Sequence, residues 1–232
     1  MQRTKNEPKS EAGFSLIELI IAMGVTLVIM GLATTLLMES FNVRAREDRR
    51  SDALADAQRA LNLISRELAN SGYALDRLLP AHRRYTKPDG TTANIPGNGL
   101  IPEDSDATSI KFAANLNAYD GGYDGLGGPD EVLTYQLIED GTNRILARRS
   151  LNPNATRVLV ARTDGSDLDI NFAYLNAVGN PAANLALATT IQISITVELP
   201  AVGAPGVNGY QPARQVQLES RVELRNAILN NY

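Results

Sequence analysis

An uncharged apolar run near the start of the chain is the strongest feature of its hydrophobic pattern. No residue from Leu19 to Met38 is charged, and Leu, Ile, Val and Met make up most of the run. As a helix, a run of this length spans roughly 30 Å, which is the thickness of a bilayer's hydrocarbon core. Cleaved signal peptides have a shorter apolar stretch and a small-residue cleavage site after it. Here Glu39-Ser40-Phe41 follows instead, so the pattern predicts one membrane-spanning helix.

An amphipathic pattern follows the apolar run. Residues 39–52 are mostly polar and charged. Apolar residues then recur at alternating steps of three and four, at Leu54, Ala57, Leu61, Ile64 and Leu68. This spacing places them on one face of a helix. We expect the helix to continue to about Asn70, to stop at Ser71-Gly72 with a left-handed glycine cap, and to pack its last turns on a sheet.

Beyond Gly72 the pattern changes to turns and short strands. Residues 80–108 are rich in Pro, Gly, Asn and Asp and predict a long loop. In Ile191–Val197 every second residue is apolar, which is typical of a half-buried strand. Asp140-Gly141 predicts a hairpin turn. The predicted strands are Ser109–Ala113, Glu131–Ile138, Asn143–Arg149, Thr156–Arg162, Leu168–Tyr174, Thr189–Leu199 and Gln211–Arg225.

The order of these patterns predicts the fold class. No helical pattern separates the strands, which favours an antiparallel sheet over a doubly wound parallel one. The predicted class is therefore α+β, with a long N-terminal helix, membrane-spanning in its first half, packed on an antiparallel β-sheet head.

Composition and charge exclude several classes of function. The net charge of -4 argues against a nucleic-acid binder, which usually shows a basic surface. The absence of cysteine removes disulfides, thiolate metal sites and cysteine nucleophiles. The single histidine, His82, cannot form a multi-histidine metal site within one chain, and no nucleotide-binding or hydrolase motif occurs. The sequence therefore predicts no enzyme.

A glycine-rich acidic segment offers one candidate for metal binding. Asp120, Asp124 and Asp130 lie in a stretch that also contains five glycines. Calcium accepts six to eight oxygen ligands in flexible geometry, so these carboxylates form a candidate calcium site. Their spacing does not match an EF-hand, and aspartates in glycine-rich turns are also common in plain loops. No other cofactor is expected.

A short motif precedes the apolar run. Its residues are Ala12-Gly13-Phe14-Ser15-Leu16-Ile17-Glu18. This segment resembles the processing motif of prepilins, the precursors of type IV pilins and type II secretion pseudopilins. The resemblance implies that a membrane-bound prepilin peptidase cuts between Gly13 and Phe14, that Phe14 is then N-methylated, and that Glu18 serves assembly. The alternative is an uncleaved signal anchor in which this spacing arose by chance.

The resemblance divides the chain into four parts. Residues 1–13 would be the leader peptide, and residues 14–38 the transmembrane half of the N-terminal helix. Residues 39–72 would continue that helix outside the membrane, and residues 73–232 would form the β-rich head. The protein would lie in the inner membrane as a single-pass protein, with its head periplasmic or extracellular, and then enter a pilus or pseudopilus.

The rest of the chain adds a looser resemblance to one class within this family. Four segments are similar to PilW-type minor pilins: Ile64–Leu68 before Ser71-Gly72-Tyr73, Glu131–Tyr135 after the Asp/Gly-rich stretch, Arg148-Arg149, and Val222–Asn226. The implied function is a minor pilin that enters or primes a type IV pilus, with the membrane, the peptidase and other pilin subunits as partners. J-type pseudopilins of type II secretion share this layout, and a membrane-anchored adhesin or binding protein is a further alternative.

Processing is directly testable. We expect a mature chain of 219 residues (232 minus 13) that begins with N-methylated Phe14. Intact-mass and N-terminal analysis of the protein purified from its own host would check this. A chain that still begins at Met1 in membranes with active prepilin peptidase would contradict it.

Overall fold

The computed structural model describes most of the chain in segments. They are residues 15–75, 83–86, 90–115, 131–141, 143–151, 155–162, 167–199, 201, 203, 205–206 and 210–229. The chain forms two compact units, of which the first ends at Glu47 and the second begins at Asp48.

One long helix and a set of strands make up the described part. Helix α1 spans Leu16–Leu68, and a short helix α2 spans Arg225–Leu229. The strands are β1 (Arg84–Thr86), β2 (Thr92–Asn94), β3 (Ser109–Ala113), β4 (Val132–Asp140), β5 (Asn143–Ser150), β6 (Ala155–Arg162), β7 (Leu168–Leu175), β8 (Thr190–Leu199) and β9 (Arg214–Glu223). Two single 3-10 turns lie at Pro102–Asp104 and Leu185–Leu187.

All strand pairs among the described residues are antiparallel. β1 pairs with β2, four strands form a sheet in the order β3-β4-β5-β6, and three form a sheet in the order β7-β8-β9. Asp140 of β4 lies opposite Asn143 of β5, and Gly141 between them has a φ of 64°. The hairpin predicted at Asp140-Gly141 and the α+β class with antiparallel sheets are therefore confirmed.

The last turns of α1 contribute directly to the core of the second unit. Its buried residues are Ala53, Ala57, Ala60, Leu61, Ile64 and Leu68. They share one apolar cluster with inward-facing residues of both large sheets, among them Phe112 and Tyr135 on one sheet and Ile193 on the other. The predicted stripe is confirmed from Ala57 onward, whereas Leu54 is only half-buried. Ala53 and Ala60 are buried in addition, because the face that contacts the sheets is wider than the stripe of large residues.

The prediction that residues 80–108 form one long loop is wrong in part. This segment contains β1 and β2, and Leu100 forms an isolated antiparallel bridge with Phe112. Ile95, Leu100 and Ile101 are almost completely buried. One isolated apolar residue and one apolar pair between Pro, Gly and Asn show no strand periodicity, so the sequence pattern does not reveal these core positions.

Two element boundaries also differ from the prediction. Helix α1 ends at Leu68, and Gly72 adopts a left-handed φ of 78° in the turn that follows rather than at the helix cap. The strand predicted over Gln211–Arg225 covers only Arg214–Glu223. The period-2 burial pattern continues to Leu224, and the next buried apolar residue, Ala227, lies three residues further on because α2 begins at Arg225.

Removing a buried side chain from the end of α1 should destabilise the second unit. Ile64 is fully buried, so Ile64→Ala should lower the free energy of unfolding by about 2–5 kcal/mol through lost burial and a cavity. Asn62→Ala, at an exposed position of the same helix, is the control and should stay within about 0.5 kcal/mol. Denaturant unfolding of the full chain in detergent measures both. Equal stability of the two variants would contradict the packing of α1 on the sheets.

Candidate assembly site

The first part of α1 presents an apolar surface. Its large apolar side chains are each more than half exposed from Leu16 to Phe41. A window of 18 residues in this helix has a mean hydropathy of 2.4 and none of it is buried. By length and composition the helix is able to cross a membrane. A surface of this kind needs lipid or other apolar helices as its surroundings.

The threonines of this segment do not interrupt its apolar character. The hydroxyls of Thr26, Thr34 and Thr35 each donate to the carbonyl oxygen four residues earlier, at 2.7–2.9 Å. A hydroxyl that is satisfied within its own helix does not require water. Among the residues Ser15–Met38, the carboxylate of Glu18 is the only ionisable group.

Glu18 lies in the first turn of α1 and is exposed. The carbonyl oxygen of Ser15 accepts from the backbone N–H of Leu19 at 3.2 Å, so Ser15 stands at the helix start. Backbone N–H groups at a helix start lack intrahelical partners, and the helix dipole favours a negative charge there. Ser15 and Glu18 also have the S-x-x-E spacing of a capping box. Gly13 and Phe14, the predicted processing site, lie outside the described residues.

Two glycines leave the backbone of α1 accessible. A Cβ atom placed on Gly24 or Gly31 would meet no atom within 4 Å. The two positions are seven residues apart and so lie on nearly the same helix face. Small residues at such positions let the backbones of membrane helices approach closely.

The other end of α1 is fixed to the head by a charged contact. Arg148 of β5 donates from Nε to Glu67 Oε2 at 3.0 Å and from Nη2 to Glu67 Oε1 at 3.2 Å. The hydroxyl of Tyr135 donates to the same carboxylate. The Arg148 and Glu67 side chains are only 13% and 16% exposed. Burial, with the Glu67 carboxylate as a second cause, raises the pKa of Tyr135 well above its usual range.

Sequence reasoning missed this contact. In the sequence, Glu67 and Arg148 stand out only through the resemblance of their segments to minor pilins, and no local pattern predicts that the two side chains meet. The available signal was that Glu67 directly precedes the buried Leu68 and follows the buried Ile64 by three residues. That position places a carboxylate at the border of the buried face, where an unpaired charge is costly.

A second contact fixes the turn after α1. The Ser71 hydroxyl donates to the carbonyl oxygen of Asn98 at 2.7 Å. A Cβ atom on Gly99 would lie 2.2 Å from the backbone nitrogen of Gly72, and one on Gly72 would lie 2.3 Å from the carbonyl oxygen of Gly97. Both Gly72 and Gly99 have a φ of 78°. Only glycine fits at these two positions, because the two backbone segments touch.

The structure does not describe the predicted calcium ligands. Asp120, Asp124 and Asp130 lie outside the described residues, as does His82. Within the part of the chain that the structure covers, no group of three or more His, Cys, Asp or Glu residues is arranged to hold a metal ion. The calcium site stays a prediction.

Comparison with known proteins identifies the N-terminal segment. Residues 8–34 match the family described as Prokaryotic N-terminal methylation motif. This confirms the prepilin-type resemblance and is consistent with a type IV pilin-like protein. Together with the one apolar helix, the match supports a membrane-anchored, single-pass protein. Neither the comparison with curated proteins nor that with solved structures gave a match.

The buried Tyr135 and the half-buried Tyr174 should make the head sensitive to alkaline pH. Burial raises the pKa of Tyr135 and that of Tyr174 above their usual value near 10. A raised folded-state pKa contributes stability that is present below pH 10 and is lost as the pH rises, by about 1.4 kcal/mol per pH unit for each tyrosine.

We therefore expect the free energy of unfolding to fall between pH 10 and 12, and Tyr135→Phe to remove about half of that fall. Tyr174→Phe should remove the other half, and the double variant should remove nearly all of it. Denaturant unfolding at several pH values measures the slopes. An unchanged slope in Tyr135→Phe would contradict the assignment.

Proposed function

We propose that this chain is a structural minor pilin of the PilW type, which enters or primes a type IV pilus after cleavage by prepilin peptidase. One observation carries the proposal. The prepilin-type motif at residues 8–34 overlaps a helix whose apolar side chains are exposed from Leu16 to Phe41. A single helix of this kind supports both membrane anchoring and packing against the helices of neighbouring subunits.

Processing would convert the membrane precursor into an assembly subunit. The peptidase would cut between Gly13 and Phe14, and methylation of Phe14 would follow. The glycine, having no side chain, lets an enzyme approach the scissile bond closely. The protein would reside in the inner membrane with its head periplasmic or extracellular before it enters the filament. Its role would be structural rather than catalytic.

Glu18 would be the assembly contact. Anchoring alone gives no reason for a carboxylate in an otherwise uncharged apolar helix, since Leu or Ala would insert more easily. The N-terminal amine of a neighbouring mature subunit offers an opposite charge. In an apolar filament core such a pair would be strong, and an unpaired carboxylate would be heavily penalised.

The J-type pseudopilin of type II secretion uses the same N-terminal chemistry, and a membrane-anchored adhesin needs only the anchor. Deletion of the gene in its own host separates these functions. Loss of surface pili and of twitching motility supports the minor pilin. Loss of protein secretion with pili retained favours the pseudopilin, and loss of surface attachment alone favours the adhesin.

Substitution of Glu18 tests the assembly contact. Glu18→Ala should leave membrane insertion and cleavage after Gly13 intact and should strongly reduce the filament-associated fraction. Glu18→Asp should be intermediate, because its shorter side chain reaches the amine less well. Glu18→Gln separates the two roles of this position, since glutamine is accepted in a capping box but carries no charge.

The measurement is the ratio of filament-associated to membrane-bound protein for each variant. Glu39→Ala, which removes the first carboxylate after the uncharged run, is the control and should assemble normally. Normal assembly of Glu18→Ala would exclude Glu18 as an assembly contact. Normal assembly of Glu18→Gln alone would assign Glu18 to the helix cap.

A further inference from the structure

The loop that joins β7 to β8 exposes apolar side chains. This β7–β8 loop consists of residues 176–189. Val178 is 84% exposed, more than any other large apolar side chain in the described part of the chain, and Leu187 is 63% exposed. Residues 170–197 contain no charged side chain, although 21% of the whole chain is charged. Exposed apolar side chains without neighbouring charge are typical of the centre of a protein–protein interface.

Hydrogen bonds fix the backbone of this loop. Asn176 Oδ1 accepts from the backbone N–H groups of Val178 and Asn180, each at 3.0 Å. The side chain of Asn184 caps the 3-10 turn Leu185–Leu187. Both exposed apolar side chains are therefore held on a preformed backbone, which lowers the entropic cost of binding a partner.

The β7–β8 loop lies at the end of the second unit where α1 ends. The side chain of Asn98 donates to two carbonyl oxygens of the loop at 2.8 and 3.0 Å. The carbonyl oxygen of Asn98 in turn accepts from Ser71, three residues after the end of α1. The opposite end of β8 lies beside an earlier part of α1, since Leu199 and Ala53 line the same small space. β8 therefore runs opposite to α1, and the loop lies at the end toward which α1 runs.

The chemistry of the loop disfavours a membrane surface as its partner. Segments that lie on membranes usually carry Lys or Arg together with aromatic residues, and residues 176–189 contain neither. The exposed amides of Asn180 and Asn184 would also lose their hydrogen bonds in hydrocarbon. A protein surface can supply those bonds and still cover Val178 and Leu187.

The size and the lack of charge of the loop favour a partner that is already held nearby. A loop without charge gains no electrostatic steering of a freely diffusing protein. Two apolar anchors make a small contact, which suffices when both partners are tethered and the effective concentration is high. Subunits that insert their N-terminal helices in one direction meet head to tail. The end toward which α1 runs then faces the next head.

We infer that the β7–β8 loop docks on an uncharged apolar patch of the neighbouring subunit's head, with Val178 and Leu187 as its anchors. This inference rests on the proposed function, because it requires that the chain enters a filament. It adds a contact between heads to the contact that Glu18 makes between N-terminal helices.

Thiol labelling of the full chain in its own host tests the docking. The chain has no cysteine, so one introduced thiol reports on one position. Val178→Cys should react with a charged maleimide in the membrane-bound pool and at least fivefold less in sheared filaments, because docking covers it. Val158→Cys is the control, since Val158 is 52% exposed on β6 of the other sheet, and it should react equally in both pools. Equal labelling of Val178→Cys in both pools would overturn the inference.

Charge substitutions test the same contact through assembly. Val178→Asp and Leu187→Asp should each lower the ratio of filament-associated to membrane-bound protein at least fivefold, because docking would bury an unpaired carboxylate. Val158→Asp should lower it less than twofold, and Val178→Ile should assemble like the wild type. Melting temperatures equal to that of the wild type show that the variants are folded. Filaments without the wild-type chain would overturn the proposed function and this inference with it. Entry of the wild type together with normal entry of both aspartate variants would overturn this inference alone.

Discussion

One continuous helix has to satisfy two different surroundings, and the rest of the structure depends on how it does so. From Leu19 to Met38, α1 is uncharged and exposes apolar side chains on all sides, as a helix surrounded by lipid or by other helices must. In the second unit only one face of α1 is apolar, and that face packs against both large sheets.

The Glu67–Arg148 pair restricts the rotation of this helix about its own axis. Apolar burial is non-directional, so a stripe of Ala, Leu and Ile tolerates small rotations of the helix about its axis. A nearly buried carboxylate that accepts two bonds from one guanidinium does not, because its geometry is fixed and an unpaired charge would be costly. The pair therefore fixes the orientation of the helix, whereas apolar contact stabilises the interface. Tyr135 supports it by satisfying the same carboxylate.

The sequence predicted the elements far better than the contacts between them. The helix over the apolar run, the buried stripe from Ala57 to Leu68 and the strand over Ile191–Val197 are predicted from local patterns, and each is confirmed. The pairing of Glu67 with Arg148 and the contact of Gly72 with Gly99 join positions far apart in the chain, so no local pattern carries them. In the candidate site, the role of Glu18 is predicted from its place in the prepilin-type motif, and a lone carboxylate in an otherwise apolar helix agrees with that prediction.

The three buried alanines of α1 set how closely the helix approaches the sheets. Ala53, Ala57 and Ala60 precede the larger Leu61 and Ile64, so the first part of the interface is built on small side chains. Beside Ala53 and Ala57 only about 10 Å³ of space is left, lined by apolar side chains of β8 and β9, which is too little for more than one water. A larger side chain at these buried positions would overpack the interface, and overpacking typically costs about 1–3 kcal/mol. The helix register is therefore set by small residues at one end of the interface and by the Glu67–Arg148 pair at the other.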